Sequence, residues 1–386
     1  KITSQINSCQ EFELSASFQL QLEFLQMKKS LIALAVLGAS SVAFAASNVT
    51  LYGVVDGGVV VSKAKKADGT VVRASSGFDS GPRWGLKGVE DLGNGYSVGF
   101  QLEQGFNLDT GTTANGWQNK DGDTGTFNRE SRLYVQGGFG TLSFGRFGSL
   151  ASGAGSQTIL TGWQFGTSYE DTGSWTKYGK GNSRINNAIS YVSPAFGGVT
   201  LHAMYSNGTQ KDDERWSDNH HYYGLGLKAK AGAFDGVVIF EATDAKGTDS
   251  VKGTAYKNPA YSVTAGGNYN LGVATLSAIY QYAWSSDTYK QNAFGLSTAV
   301  PAFGGTAKLG TKFVFGKDEA KAAGEEDKYN GWSINAAYSY PLSKRTYAYG
   351  YAGYTHGGKL WKAETAKEAD LSHTGYAVAM GLVHKF

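Results

Sequence analysis

Cysteine, proline and long apolar runs are all scarce in this chain, and each scarcity excludes a class of protein. Among 386 residues there is one cysteine, Cys9, and there are five prolines. A single thiol cannot build a disulfide framework, so the fold must rest on backbone hydrogen bonding and packing. No apolar stretch approaches the roughly 20 residues that a membrane-crossing helix needs. Charge of one sign is also missing: 35 Lys and Arg against 32 Asp and Glu give a net +3, too balanced for a nucleic-acid footprint. What is present is aromatic surface, 8 Trp, 23 Tyr and 20 Phe, together with 54 Gly. That is far more burial capacity than a disordered chain carries, and the composition points to an all-β protein whose sheet has two wettable faces.

The first methionine is Met27. From it run a basic start (Lys28, Lys29), an apolar stretch Leu31 to Gly38, and Ala43-Phe44-Ala45. This is the order of a secretory signal peptide, spanning 27–45 with cleavage after Ala45. Residues 1–26 read as upstream sequence included by over-extended translation, which leaves 46–386 as one domain. Removing 1–45 takes away Cys9 and equal numbers of acids and bases, so the net charge stays +3.

Strict alternation dominates that domain. In Tyr96 to Glu103, Tyr96, Val98, Phe100 and Leu102 share one face, while Ser97, Gln101 and Glu103 share the other. In many segments the second face is small or charged, which suits a barrel with lipid outside and water inside. Seven tight turns punctuate the pattern, around Glu90–Gly95, Gly137–Gly140, Ser193–Gly198, Ala233–Gly236, Asn270–Gly272, Pro301–Gly305 and Pro341–Arg345. Longer polar segments lie between them: 109–126, 148–183, 207–219, 317–328 and 357–371. Seven turns on one rim, with two strands and a long loop in each interval, predict a 16-stranded antiparallel transmembrane β-barrel. A propeller would need four short strands per repeat, and these segments are too long and too few. No proline falls inside an alternating run, as closed sheets require.

Catalytic patterns are missing. The six histidines lack zincin spacing, and His220-His221 reads as a solvated pair in a polar loop. No Gly-x-Ser-x-Gly elbow occurs, and the glycines form no phosphate loop. Asp121-Gly122-Asp123 begins like a calcium loop, but its twelfth position is Arg132 where a Glu is required. The expectation is a protein that is not an enzyme and has no cofactor or metal. An outer-membrane barrel hydrolase would need a matched Ser and His, which are not found; a surface-binding scaffold remains a third reading.

The blocks Val49-Thr50-Leu51-Tyr52-Gly53, Arg83-Trp84-Gly85-Leu86-Lys87-Gly88-Val89-Glu90-Asp91-Leu92-Gly93-Asn94-Gly95, Phe139 to Arg146, Tyr191 to Gly198 and Gly381 to Phe386 occur in order along the domain. In these the sequence resembles the trimeric general porins of β-proteobacterial outer membranes, the neisserial and Burkholderia-like type. The one noted departure is Val383, where such porins often carry Arg. The resemblance implies a homotrimer in the outer membrane, with segment 109–126 as a latch between subunits. It also implies a third loop, 148–183, folded into the barrel, and a water-filled channel for passive diffusion of small hydrophilic solutes and ions. The final strand, ending at the aromatic Phe386, is similar to the signal read by the periplasmic barrel-assembly machinery.

Pleat parity turns Arg83, Lys87, Arg132 and Arg184 inward. The resemblance implies a basic cluster on the pore wall at Arg83, Arg184 and the 129–132 region. Parity favours Arg132 there and alignment favours Arg129, so both stand as candidates. The acids of the third loop are Glu170 and Asp171, and Glu103 and Asp56 point inward nearer other levels. A basic wall facing an acidic loop predicts a field across a narrow passage and a modest anion preference. The loop's Trp163, Phe165, Tyr169, Trp175 and Tyr178 are expected to pack it rigidly against the wall.

Overall fold

The computed structural model describes residues 49–65, 68–114, 125–181, 184–209, 216, 219–244, 248–249, 254–255, 258–286, 288–319, 327–357 and 374–386. The segments 1–26 and 27–45, and most of 109–126, lie outside them. Sixteen antiparallel strands form the barrel: β1 (Thr50–Ala64), β2 (Arg83–Gly93), β3 (Tyr96–Gly105), β4 (Glu130–Gly137), β5 (Gly140–Gly148), β6 (Arg184–Val192), β7 (Val199–Ser206) and β8 (His221–Ala231). They continue as β9 (Phe234–Asp244), β10 (Ala260–Asn270), β11 (Thr275–Ser285), β12 (Tyr289–Ala302), β13 (Gly305–Asp318), β14 (Lys328–Pro341), β15 (Thr346–Gly357) and β16 (Gly375–Lys385). Each pairs with its neighbours in sequence. The sheet closes where β1 pairs with β16, from Val54↔Lys385 to Ala64↔Gly375. Closure removes every long edge, which is the condition for a sheet to sit in lipid.

Alternation decides which side chains face which solvent. Along β12, Gln291 is 2% and Ala293 0% exposed, whereas Phe294 is 39% and Leu296 58% exposed. The same parity exposes Leu133, Ile189, Leu225, Val238, Leu309 and Ile334 on other strands while their neighbours turn inward. An apolar exterior around a polar interior inverts the usual globular pattern and is that of a membrane barrel.

The seven turns fall where the sequence suggests, and their backbone explains their composition. Gly93, Asn94 and Gly95 all carry positive φ, of 79°, 53° and 79°, a left-handed geometry that Gly and Asn adopt at little cost. The strands run further than the alternation. Pro301 pairs with Thr306 inside β12, and Pro341 closes β14. Both sit within three residues of a turn, where a missing N–H interrupts little of the ladder.

One feature was not anticipated. β1 pairs along its upper half with a short strand, Val71–Ser76, and along its lower half with β2. Between the two, Gly77 turns with φ 77° and residues 77–82 leave the sheet. Asp56 holds this excursion: its buried carboxylate accepts from the Asp79 and Ser80 amides at 2.9 and 2.7 Å and from the Tyr349 hydroxyl at 3.0 Å.

Candidate functional site

The connection between β5 and β6 packs on inward-facing positions of the barrel. Trp163, Phe165, Tyr169, Trp175 and Tyr178 are almost fully buried and cluster with Phe78, Ile279, Ala293, Val314, Tyr349 and Tyr351. Tyr169 stacks on Tyr351 with ring centroids 4.8 Å apart, and the Tyr351 hydroxyl donates to Thr172 Oγ1 at 2.7 Å. Polar ties fix the backbone: Gln164 Nε2 donates to Ser277 at 2.6 Å, Gln281 Nε2 to the Lys180 carbonyl at 2.9 Å, and Gln291 Nε2 to the Tyr178 carbonyl. Lys312 is fully buried, donates to the Ser174 carbonyl, and lies 5.5 and 5.2 Å from the rings of Trp163 and Tyr178. Burial pushes the phenols of Tyr169 and Tyr178 well above the ordinary tyrosine range, Asp79 adding to the effect at Tyr169.

On the other side the loop is held by buried carboxylates. Glu130 accepts from the Ser156 amide at 3.1 Å and its hydroxyl at 2.7 Å. Glu241 accepts from the Ala151 amide at 3.1 Å and the Tyr222 hydroxyl at 2.6 Å.

Between the loop and the β2–β6 wall lies a polar cavity of about 640 Å³. Arg83, Arg129 and Arg184 line it, with Glu103, Glu130 and Asp79 and the loop segment Gly153–Ser156. Arg83 begins β2, and its guanidinium donates to the Gly81 carbonyl at 2.8 Å. Arg129 precedes β4 and bonds Glu103 at 2.7 Å, while Arg83 stands 3.6 Å from the same carboxylate. Glu103 therefore sits between two of the arginines, at their level and not at another. Arg184 opens β6 and donates through Nε to the Arg129 carbonyl at 2.8 Å; its Nη2 has no hydrogen-bond partner among the described residues. Arg146 is a charged neighbour of Arg184 and donates to Asn186 and the Asn128 carbonyl.

The remaining candidates lie elsewhere. Lys87 faces inward four residues further along β2, about 13 Å nearer the turns, with its ammonium 5.3 Å from the Tyr52 ring. Arg132 also faces inward, but covers the Tyr134 ring at 4.2 Å and donates to Ser143 at 3.1 Å. Glu170 and Asp171 start a one-turn helix, Glu170–Gly173; their side chains lie outside the described part. His221 differs from the solvated reading: it is 1% exposed, 4.5 Å from the Trp216 ring, and hydrogen-bonded to Tyr205 and the Trp216 carbonyl.

Sequence reasoning missed Asp79, Glu130, Lys308 and Lys312. Glu130 and Lys312 could have been found by parity, each being a charge among small or polar inward neighbours. Asp79 could not, since it lies in the excursion, where its carboxylate accepts from Tyr347 at 2.7 Å and faces Lys308 of β13. Among the described residues no three His, Cys, Asp or Glu side chains gather as metal ligands.

Comparison with known proteins is consistent with this architecture. A family described as Gram-negative porin matches residues 30–360. Outer membrane porin protein 32 of Delftia acidovorans is 32% identical over 351 residues, covering 84% of this chain and 88% of its own. Among solved structures, an anion-selective porin from Comamonas acidovorans superposes with a TM-score of 0.65 at 24% identity, covering 88% of this chain and all of its own. The trimer form of OmpT from Vibrio cholerae superposes at 0.63 with 16% identity, covering 88% of this chain and all of its own.

Proposed function

The chain belongs to the Gram-negative porin family, a channel of the outer membrane for passive diffusion of small hydrophilic solutes, and from that premise we propose that the cavity beside Arg83, Arg129 and Arg184 is its constriction. The observation that carries the proposal is the asymmetry around the loop: one side is packed shut by aromatic rings, the other holds a polar, charged opening. Any solute crossing the barrel is driven past the arginines. Lys87 and Arg132 act as basic approaches on the side of the turns, and Glu170 and Asp171 as acids carried by the loop.

Selectivity follows from how these charges are used. Glu103, Glu130 and Asp79 direct their oxygens at Arg129, Ser156 and Tyr347, while Arg146 adds a fourth guanidinium beside Arg184. Near 0.15 M salt the screening length is about 8 Å, so fixed charges in a narrow passage remain only partly screened. The channel thus favours small anions modestly, and the Comamonas acidovorans porin to which its fold is similar is itself anion-selective. Zero-current potentials across a KCl gradient in planar bilayers test this, and a potential of the cation-selective sign refutes it. Liposome swelling with neutral sugars separates a channel from a scaffold or an enzyme, neither of which would swell vesicles.

The working assembly is a homotrimer latched by 109–126 and inserted through recognition of the strand that ends at Phe386. Heat-dissociable trimers in mild detergent are expected. Export through a signal peptide at 27–45 predicts a purified protein that begins at Ala46.

A further inference from the structure

The opening beside the arginines is bounded by a second inward element besides the β5–β6 loop. Residues 77–82, which leave the sheet between the short strand Val71–Ser76 and β2, contribute Gly77 to Gly81 to the lining of the same cavity. The segment is folded tightly on itself. A methyl on Gly77 would come within 2.5 Å of Pro82 Cδ, and one on Gly81 within 3.4 Å of Arg129 Nη1. Phe78 pins it from below: its ring is 1% exposed and lies edge-on to Tyr351 and Tyr169, with centroids 5.4 and 6.1 Å apart. The Phe78 carbonyl accepts from the Tyr169 amide at 2.7 Å. With Asp56 holding the amides of Asp79 and Ser80, the segment is fixed to β1 on one flank and to the loop on the other.

Asp79 is the one charged residue of this segment, and it is half-buried at the cavity. Three arginines and three carboxylates line that space, but the three acids are held differently. Glu103 sits within the arginine wall, 2.7 Å from Arg129 and 3.6 Å from Arg83, so its charge is cancelled where it stands. Glu130 accepts both bonds of Ser156 and anchors the loop. The Asp79 carboxylate accepts from the Tyr347 hydroxyl at 2.7 Å, borders the Tyr169 phenol and faces Lys308. A neutral phenol fixes the direction of a carboxylate without neutralising it.

We propose that Asp79 is a specificity-determining residue of the channel: a fixed negative charge, carried by the 77–82 segment, that opposes the arginines and keeps the anion preference modest. This rests on the reading of the cavity as the constriction. A solute in that space meets Arg83, Arg129 and Arg184 on the barrel wall and Asp79 on the inserted segment, and at a screening length of about 8 Å both are felt together. Neutralising Asp79 leaves three arginines against two carboxylates in the lining, one of them already paired. Its effect is therefore opposite in sign to that of removing an arginine.

The test is the zero-current potential of the mature protein in planar bilayers across a KCl gradient. D79N raises the anion-to-cation permeability ratio by about twofold, whereas Y347F, which keeps the carboxylate and removes its donor, leaves the ratio at the wild-type value. A shift in Y347F equal to that of D79N would make Asp79 a structural acceptor and overturn the proposal. Because the chain from Ala46 onward has no cysteine, D79C offers a single thiol on which charge can be changed after folding. A sulfonate-bearing methanethiosulfonate reagent returns the D79C potential toward wild type, and a trimethylammonium-bearing one moves it further toward anions. Equal shifts with the two reagents would mean that bulk and not charge acts there, and no shift with either would place the side chain outside the passage; each overturns the proposal. R83Q/R184Q separates the two readings. If that variant moves the potential and D79N does not, the constriction stands and the role of Asp79 falls; if neither moves it, both fall.

Discussion

The two walls of the lumen meet the same loop and treat it in opposite ways. From β10 to β15 the inward positions that meet the loop are small, aliphatic, amide or hydroxyl residues and tyrosine, with Lys312 the one buried charge bonded to the loop backbone, and the loop's rings settle on them through Gln164–Ser277, Gln281–Lys180 and Tyr351–Thr172. From β2 to β4 they include Arg83, Lys87, Glu103, Glu130 and Arg132, and beside them the loop leaves the cavity open, tied at Ser156 through Glu130 and packed only further round, where Leu150, Ala151 and Ile159 meet Ile185 and Ala188 of β6. A wall with few charges, its buried Lys312 lying against the rings of Trp163 and Tyr178, lets aromatic side chains approach and exclude water. A charged wall keeps its hydration, because stripping several guanidinium groups of water costs more than packing returns. The side of the loop on which the passage opens is therefore set by where charge is placed along the chain.

Breaking the packed side should have the largest effect. Trp163→Ala removes a ring that touches Phe165 and Trp175 and loses its Nε1 bond to the Gly173 carbonyl. It should cost about 3–5 kcal/mol of packing, seen as protease cleavage within 149–181 and a larger, noisier single-channel conductance. A variant with wild-type conductance would mean that the rings do not position the loop. Lys312→Met keeps the volume and removes the charged bond to the Ser174 carbonyl. A loss of about 1.5–3 kcal/mol is expected, read as a lower unfolding midpoint, and an unchanged midpoint would assign the loop's position to the rings alone.

High pH should loosen the same side by less. The phenols of Tyr169 and Tyr178 are raised by burial, so the neutral form is favoured in the folded state. Their contribution is complete below the unfolded tyrosine value near 10 and falls as pH rises above it, by up to about 1.4 kcal/mol per pH unit for each phenol. Thermal stability should be flat from pH 7 to 9 and decline beyond 10; a decline beginning near 8 would point to another group. On the charged side, R83Q/R184Q should leave the fold intact and lower the anion-to-cation permeability ratio by about twofold. Zero-current potentials identical to wild type would remove these arginines from the constriction.

Much of the barrel was legible because a strand's period of two is local. Tyr96, Val98, Phe100 and Leu102 declare one face without reference to any other strand, and Gly93-Asn94-Gly95 declares its turn through left-handed backbone. Parity also turned Arg83, Lys87, Arg132 and Arg184 inward. It could not rank them by height, because height depends on the stagger each strand acquires around the closed sheet. Arg129 lies just before β4, where alternation has not begun, yet its guanidinium reaches Glu103 at 2.7 Å.

By itself, then, the sequence determined the strands, their turns, the wet and oily faces, and the aromatic content of the loop, all written in neighbouring residues. Only the tertiary structure decided which charges share a cavity. Asp79 meets Tyr347 across 268 positions of chain, and Lys312 reaches Ser174 across 138. Such meetings are products of barrel closure and of a loop choosing one wall, and no local period encodes either.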